Sequence, residues 1–172
     1  MKKVLIIDTS ILCVWLQVPG KETCGTKGQP ITFEMVNAKI EAEKKFGTTF
    51  LIPIASIIDT GNHIAHVKRG DKKVLGDSFA QILIDAADEK SPWAAFSAQS
   101  NLWKPETLKQ LAEKWRETVI SGQSIGDASI VDVAEYYFKS GFATEIFTGD
   151  EGLKSYEPQG DTFFVPRRRK SR

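Results

Sequence analysis

Four aspartates, Asp8, Asp59, Asp127 and Asp150, have surroundings in the sequence that suit chemistry. Asp8 closes the apolar run VLIID (4–8) and Asp150 closes EIFTGD (145–150). Runs of this kind read as buried parallel strands, and in parallel sheets sites form beyond the carboxyl ends of the strands. Asp127 opens a helical stretch whose apolar stripe is Ile130, Val131, Ala134 and Phe138. Counting back three from Ile130 or four from Val131 places Asp127 at the head of the inward stripe, with Asp132 and Glu135 on the outer face. Asp59 belongs to a polar strip with Asn62, His63 and His66 on the helix after Pro53, beside an apolar stripe of Ile54, Ile57, Ile58, Gly61 and Ala65. Each acid alone has a simpler explanation as a helix cap or a first-turn residue favoured by the dipole. Four gathered at one edge would repel, and a divalent cation removes that repulsion. Hard carboxylate oxygens suit magnesium or manganese, and the chemistry implied is metal-assisted attack of water on a phosphodiester.

Rival motifs lack their partners. Asp59, His63 and His66 share a helix face at i, i+4 and i+7, but there is no HExxH pattern and no third-ligand motif for zinc. His63 is the better of the two histidines for substrate contact. GQSIG (122–126) matches the G-x-S-x-G elbow of serine hydrolases, yet both histidines precede Ser124 where that fold requires one after it. The stretch therefore reads as a loop and helix start. Phosphate-binding loops of the GxxxxGK[ST] and GxGxxG kinds are absent, and the second Asp of an aspartyl phosphatase is replaced by Ser10.

Strands at 4–8, 49–53, 145–150 and 162–166 alternate with helical stretches at 31–45, 54–69, 74–89, 105–119 and 127–139. The alternation predicts an α/β protein with a mainly parallel sheet. At 172 residues and 41% hydrophobic, the chain suits one domain over residues 1–166 followed by a basic tail, 167–172. Residues 90–104, with Trp93, Phe96 and Trp103, read as a long loop, either core-packed or contacting a partner. The net charge of +1 names no partner, but five of the 23 basic residues crowd into the last six positions, leaving 18 to face 22 acids elsewhere. Arg167, Arg168 and Arg169 suit phosphate contact. Cys13 and Cys24 form no CxxC pair, so reduced thiols and a cytoplasmic setting are expected. Asp8 splits the apolar N-terminal run and no later stretch is long enough for a membrane span, so no membrane association is expected.

In order along the chain, VLIIDTSIL (4–12), IPIASIIDTGNHI (52–64), GDASIVDVA (126–134) and IFTGDEGL (146–153) resemble the PIN-domain nucleases, a family that includes VapC-type toxins. The resemblance runs from Val4 to Leu153. It implies a three-layer α/β/α sandwich around a mainly parallel sheet. It makes Asp8, Asp127 and Asp150 the metal-binding acids, Asp59 the fourth catalytic acid in a position where the family carries Glu, and Ser10, Thr148 and Asn62 supporting residues. The activity it implies is endoribonuclease cleavage of RNA with magnesium or manganese, in a toxin or defence role. A protein antitoxin and a homodimer are the partners it suggests. The alternative is a PIN-like domain of reduced catalysis that serves as an RNA- or protein-binding module, motivated by the shorter Asp59 and by the aromatic segment.

Overall fold

The computed structural model describes residues 2–94 and 96–159. In chain order the elements are β1 (Lys3–Ile7), α1 (Thr9–Trp15), β2 (Cys24–Thr26), β3 (Gln29–Ile31), α2 (Phe33–Lys45), β4 (Thr49–Leu51), α3 (Ile54–Ala65), α4 (Lys72–Ala87), α5 (Pro105–Thr118), α6 (Ile125–Lys139), β5 (Ala143–Phe147) and α7 (Glu151–Ser155). Short 3-10 segments run over Phe96–Trp103 and Val119–Ser121.

β1 is the centre of a three-stranded parallel sheet, between β4 and β5. Val4 faces Thr49 and Thr144 in register, and Ile6 faces Leu51 and Ile146. Side chains of a strand alternate between faces, and here both faces are covered. Val4, Ile6, Leu51 and Ile146 pack with Ile130, Val133, Ala134 and Tyr137 of α6 and Leu153 of α7. Leu5, Ile7, Phe50 and Phe147 pack with Ile11 and Leu12 of α1, Val36 and Ile40 of α2, Ile64 of α3 and Phe79 of α4. Burial on both faces is why β1 reads as an unbroken apolar run. The molecule is thus mixed α/β with a small parallel sheet. None of the described helices is long and apolar enough to cross a membrane.

Several expectations are corrected. The inward face of α3 is Ser56, Thr60 and Ile64, whereas Ile54 and Ile58 are 40% and 57% exposed. This helix is apolar around most of its circumference, so composition does not choose the buried side. Its neighbours α1, α4 and α6 do, and small residues let them approach, a Cβ at Gly61 lying in ordinary contact with Phe79 at 3.9 Å. Asp132 and Glu135 are not on a free outer face: α5 packs there, and Lys114 reaches both, at 2.9 and 3.3 Å.

Residues 90–104 are also more ordered than a loop. The Phe50 N–H donates to Pro92 O at 2.7 Å and the Ala94 N–H to Phe50 O at 2.8 Å, so the segment bridges the outer edge of β4. Trp93 packs edge-on against Phe50 and lies beside Trp15, and Gln99 donates to the Ile52 carbonyl at 3.1 Å. Trp93 is therefore core-packed, while Trp103 is 43% exposed; the Phe96 side chain lies outside the described residues. So do the expected strand at 162–166 and the basic tail with Arg167, Arg168 and Arg169.

Candidate active site

Asp8 is the first residue after β1 and the N-cap of α1. Its carboxylate is buried, and Oδ2 accepts three hydrogen bonds: from Ser10 Oγ at 2.7 Å, from Thr148 Oγ1 at 2.8 Å and from Ser10 N at 3.3 Å. The two hydroxyls are themselves held. Gly149 N donates to Ser10 Oγ and Asp150 N to Thr148 Oγ1, each at 3.0 Å. A ring of hydrogen bonds thus joins the end of β1 to the turn after β5, and leaves Asp8 Oδ1 without a hydrogen-bond partner among the described residues.

That turn fits because residue 149 is glycine. A Cβ there would fall 2.5 Å from Cys24 Sγ and 2.7 Å from Gly25 N, so the β2–β3 hairpin lies directly on the turn. Asp150 then caps α7, its Oδ1 accepting from Leu153 N at 3.1 Å.

Asp127 stands in the first turn of α6, where Ser124 is the N-cap and its hydroxyl accepts from Asp127 N at 3.0 Å. The capping explanation of this acid therefore holds in part. Burial pushes its pKa above the ordinary carboxylate value, and the negative charges of Asp8 and Asp150 add to that, outweighing the hydrogen bonds from Ser124. Asp59 reaches the same place from α3. Its Oδ2 lies 3.8 Å from where a Cβ on Gly126 would sit, and Ala55 lies at the same distance, so α3 and α6 meet through small residues.

Asp8, Asp59, Asp127 and Asp150 all line one open cleft of about 300 Å³, together with Ser10 and His63. Burial, and then the nearby Lys21 ammonium, hold the His63 pKa below its usual value, against the pull of Asp59. Asn62 does not join them: it is exposed on α3 and contributes its backbone carbonyl to His66, at 2.7 Å from Nδ1. The sequence reading missed Lys21, Thr23, Cys13 and Cys24, which also line the cleft. Lys21 and Thr23 carry no local signal, lying on the irregular segment between α1 and β2, but Gly149 between Thr148 and Asp150 is a turn signal that marks a close approach.

By donor chemistry, four carboxylates, one with a pKa raised by burial and by two of the others, face a single lysine on the cleft wall among the described residues, and hard oxygens of this kind are ligands for a hard divalent cation. Among the described residues no three His, Cys, Asp or Glu side chains lie within joint reach of one ion. Compared with sequence models of protein families, with curated proteins and with solved structures, the chain matches none.

Proposed function

We propose that this protein is a divalent-metal-dependent endoribonuclease of PIN type. The observation that carries the reading is the meeting of four acids, from four separate parts of the chain, in one cleft at the carboxyl end of a parallel sheet. The apolar clusters on both faces of that sheet support the three-layer α/β/α arrangement of the PIN fold.

In this reading Asp8, Asp127 and Asp150 would hold magnesium or manganese partly through the ion's own waters, and the ion would stabilise negative charge on the phosphodiester and acidify water. Thr148 and Ser10 fix the Asp8 carboxylate by donating to Oδ2, so that its other oxygen is presented in one orientation. Asp127, whose pKa burial and the charges of Asp8 and Asp150 raise, would favour its ionised form beside a cation. Asp59 accepts a hydrogen bond from the attacking water and orients it. Lys21 draws the anionic substrate to a cleft whose acids alone would repel it.

The test incubates purified protein with total cellular RNA, with and without manganese, and maps the cleaved ends. Asp8→Asn and Asp127→Asn are expected to abolish cleavage while the circular dichroism spectrum stays unchanged; undiminished cleavage by either sinks the assignment. The second reading, a PIN-like binding module, draws on Asp59 standing exposed at a position where the family carries the longer Glu. It is favoured if the wild-type protein neither cleaves RNA nor gains thermal stability with manganese.

A further inference from the structure

A second groove, of about 350 Å³, opens beside the acidic cleft and shares Lys21 and His63 with it. Lys68, Arg69 and His66 line the rest of its polar wall, and among the described residues no carboxylate lines it. Its floor is Val18 and Val67, both buried in the apolar cluster that includes α1 and α3, which fixes the two walls relative to one another. The walls are drawn together at Gly70, whose backbone adopts φ +92° and where a Cβ would sit 3.0 Å from Pro19 Cγ. A side chain at 70 would therefore be strained by conformation as well as by contact.

The cations of this groove have no carboxylate partner among the described residues, a condition they share with Lys27, Lys45, Lys104 and Lys109, and what distinguishes them is that they line one concavity. Elsewhere on the body Lys3, Lys39, Lys114, Lys139 and Lys154 each hold a carboxylate. Lys21, Lys68 and Arg69 form no ion pair among the described residues, and Lys68 and Arg69 are exposed. His66 places Nδ1 against the Asn62 carbonyl, which can only accept, so Nδ1 carries the proton and Nε2 has no partner there. Unpaired cations gathered in one concavity with histidines match a string of phosphates, each neutralised in turn. Beyond Asp127 and Asp150 on another side, the surface continues as a cleft lined by Ser121, Gln123, Ser155 and Tyr156, without a cation among the described residues.

We infer that the groove lined by Lys21, His63, His66, Lys68 and Arg69 is the backbone subsite of this protein, seating the phosphates of single-stranded RNA on one side of the scissile bond. The inference rests on the nuclease reading for what lies in the adjoining cleft, shares Lys21 and His63 with it, and adds His66, Lys68 and Arg69, which that reading does not use.

The experiment measures fluorescence anisotropy of a labelled ten-nucleotide oligouridylate in EDTA, across a salt series, for the wild-type chain and the double variant Lys68→Gln, Arg69→Gln. Both positions are exposed, and a thermal melt checks that the fold is retained. The variant is expected to bind at least tenfold more weakly, with a log–log salt slope shallower by about 1.4, at about 0.7 for each single-strand phosphate left without its cation. With manganese, its half-saturating RNA concentration rises at least tenfold while the single-turnover rate at saturating RNA stays that of wild type. Unchanged affinity and slope in a variant whose parent cleaves RNA would overturn the subsite alone. Displacement of the oligonucleotide by polyglutamate as efficiently as by unlabelled RNA also overturns it, marking a surface for acidic protein. Weakened binding by the variant of a parent that never cleaves upholds the groove and overturns the nuclease reading instead.

Discussion

The Thr148 hydroxyl donates to Asp8 Oδ2 at 2.8 Å, joining residues 140 positions apart in the chain. The same oxygen of Thr148 accepts from Asp150 N, so one hydroxyl aligns two of the four acids. Parallel pairing of β1 with β5 brings their carboxyl ends side by side and makes this contact available.

Thr148→Val keeps the shape and removes both hydrogen bonds. Loss of a donor to a buried carboxylate costs about 1–3 kcal/mol, and Asp8 retains only Ser10. A lowered denaturation midpoint and weaker manganese-induced stabilisation are expected, with Thr148→Ser restoring both. Chemical denaturation with and without manganese reads the two effects, and a Val variant that gains the full manganese shift would count against the alignment role.

Gly149 and Gly126 make opposite predictions for the same substitution. An alanine Cβ at 149 would collide with the backbone and side chain of Cys24 and Gly25 at 2.5–2.8 Å, an overpacking that costs about 1–3 kcal/mol and displaces the turn carrying Thr148 and Asp150. At Gly126 the nearest neighbour of such a Cβ is 3.5 Å away, and the change relieves a helical glycine. Thermal melts should show Gly149→Ala well below wild type and Gly126→Ala at or above it.

Acid sensitivity is expected from the far side of the sheet. Burial raises the Glu145 pKa, but hydrogen bonds from Lys3 and Lys39 and their charges hold it below the ordinary value of 4.5, and Glu43 is likewise held low, against burial, by Lys3 and Thr48. A carboxyl whose folded pKa is depressed contributes stability that is present above the unfolded pKa and disappears as pH falls through the folded one. Glu145→Gln should therefore cost about 1–2 kcal/mol at pH 7, less than a fully buried pair because Lys3 and Lys39 stay about one third exposed. The gap between variant and wild type should close as pH falls below 4.5. Urea titrations at pH 7 and pH 3.5 measure it, and a gap that widens on acidification contradicts the ion-pair account.

Burial pushes the Cys13 thiol up to about 11, and it raises Cys24 as well. The thiolate is the species that reacts. Iodoacetamide at pH 8 should label both cysteines slowly in the native chain, Cys13 the more slowly because it is 1% exposed, and quickly in urea. Peptide mass spectrometry over a time course gives the two rates.

The sequence alone determined the elements whose patterns are local. An unbroken apolar β1, the acids closing β1 and following β5, and the helical turn from Asp127 to Ile130 are properties of neighbouring residues and legible as such, whereas the rest of the α6 stripe differs: Val133 and Tyr137 are buried where Val131 and Phe138 were expected, and these two are only partly buried. The inward aim of Asp127 followed from helical periodicity, because Ile130 fixes the face. Periodicity failed on α3, where isoleucines surround the helix and only packing against α1, α4 and α6 put Ser56 and Thr60 inside. It failed also on 90–104, whose order comes from bridging the edge of β4. The hairpin over Gly149 depends on the passage of one chain segment across another, as do the Thr148–Asp8 bond and the gathering of Lys21 with Lys68 and Arg69 across a groove. Contacts between distant segments have no sequence period, so they were decided only when the sheet set its strands in parallel and the loops met.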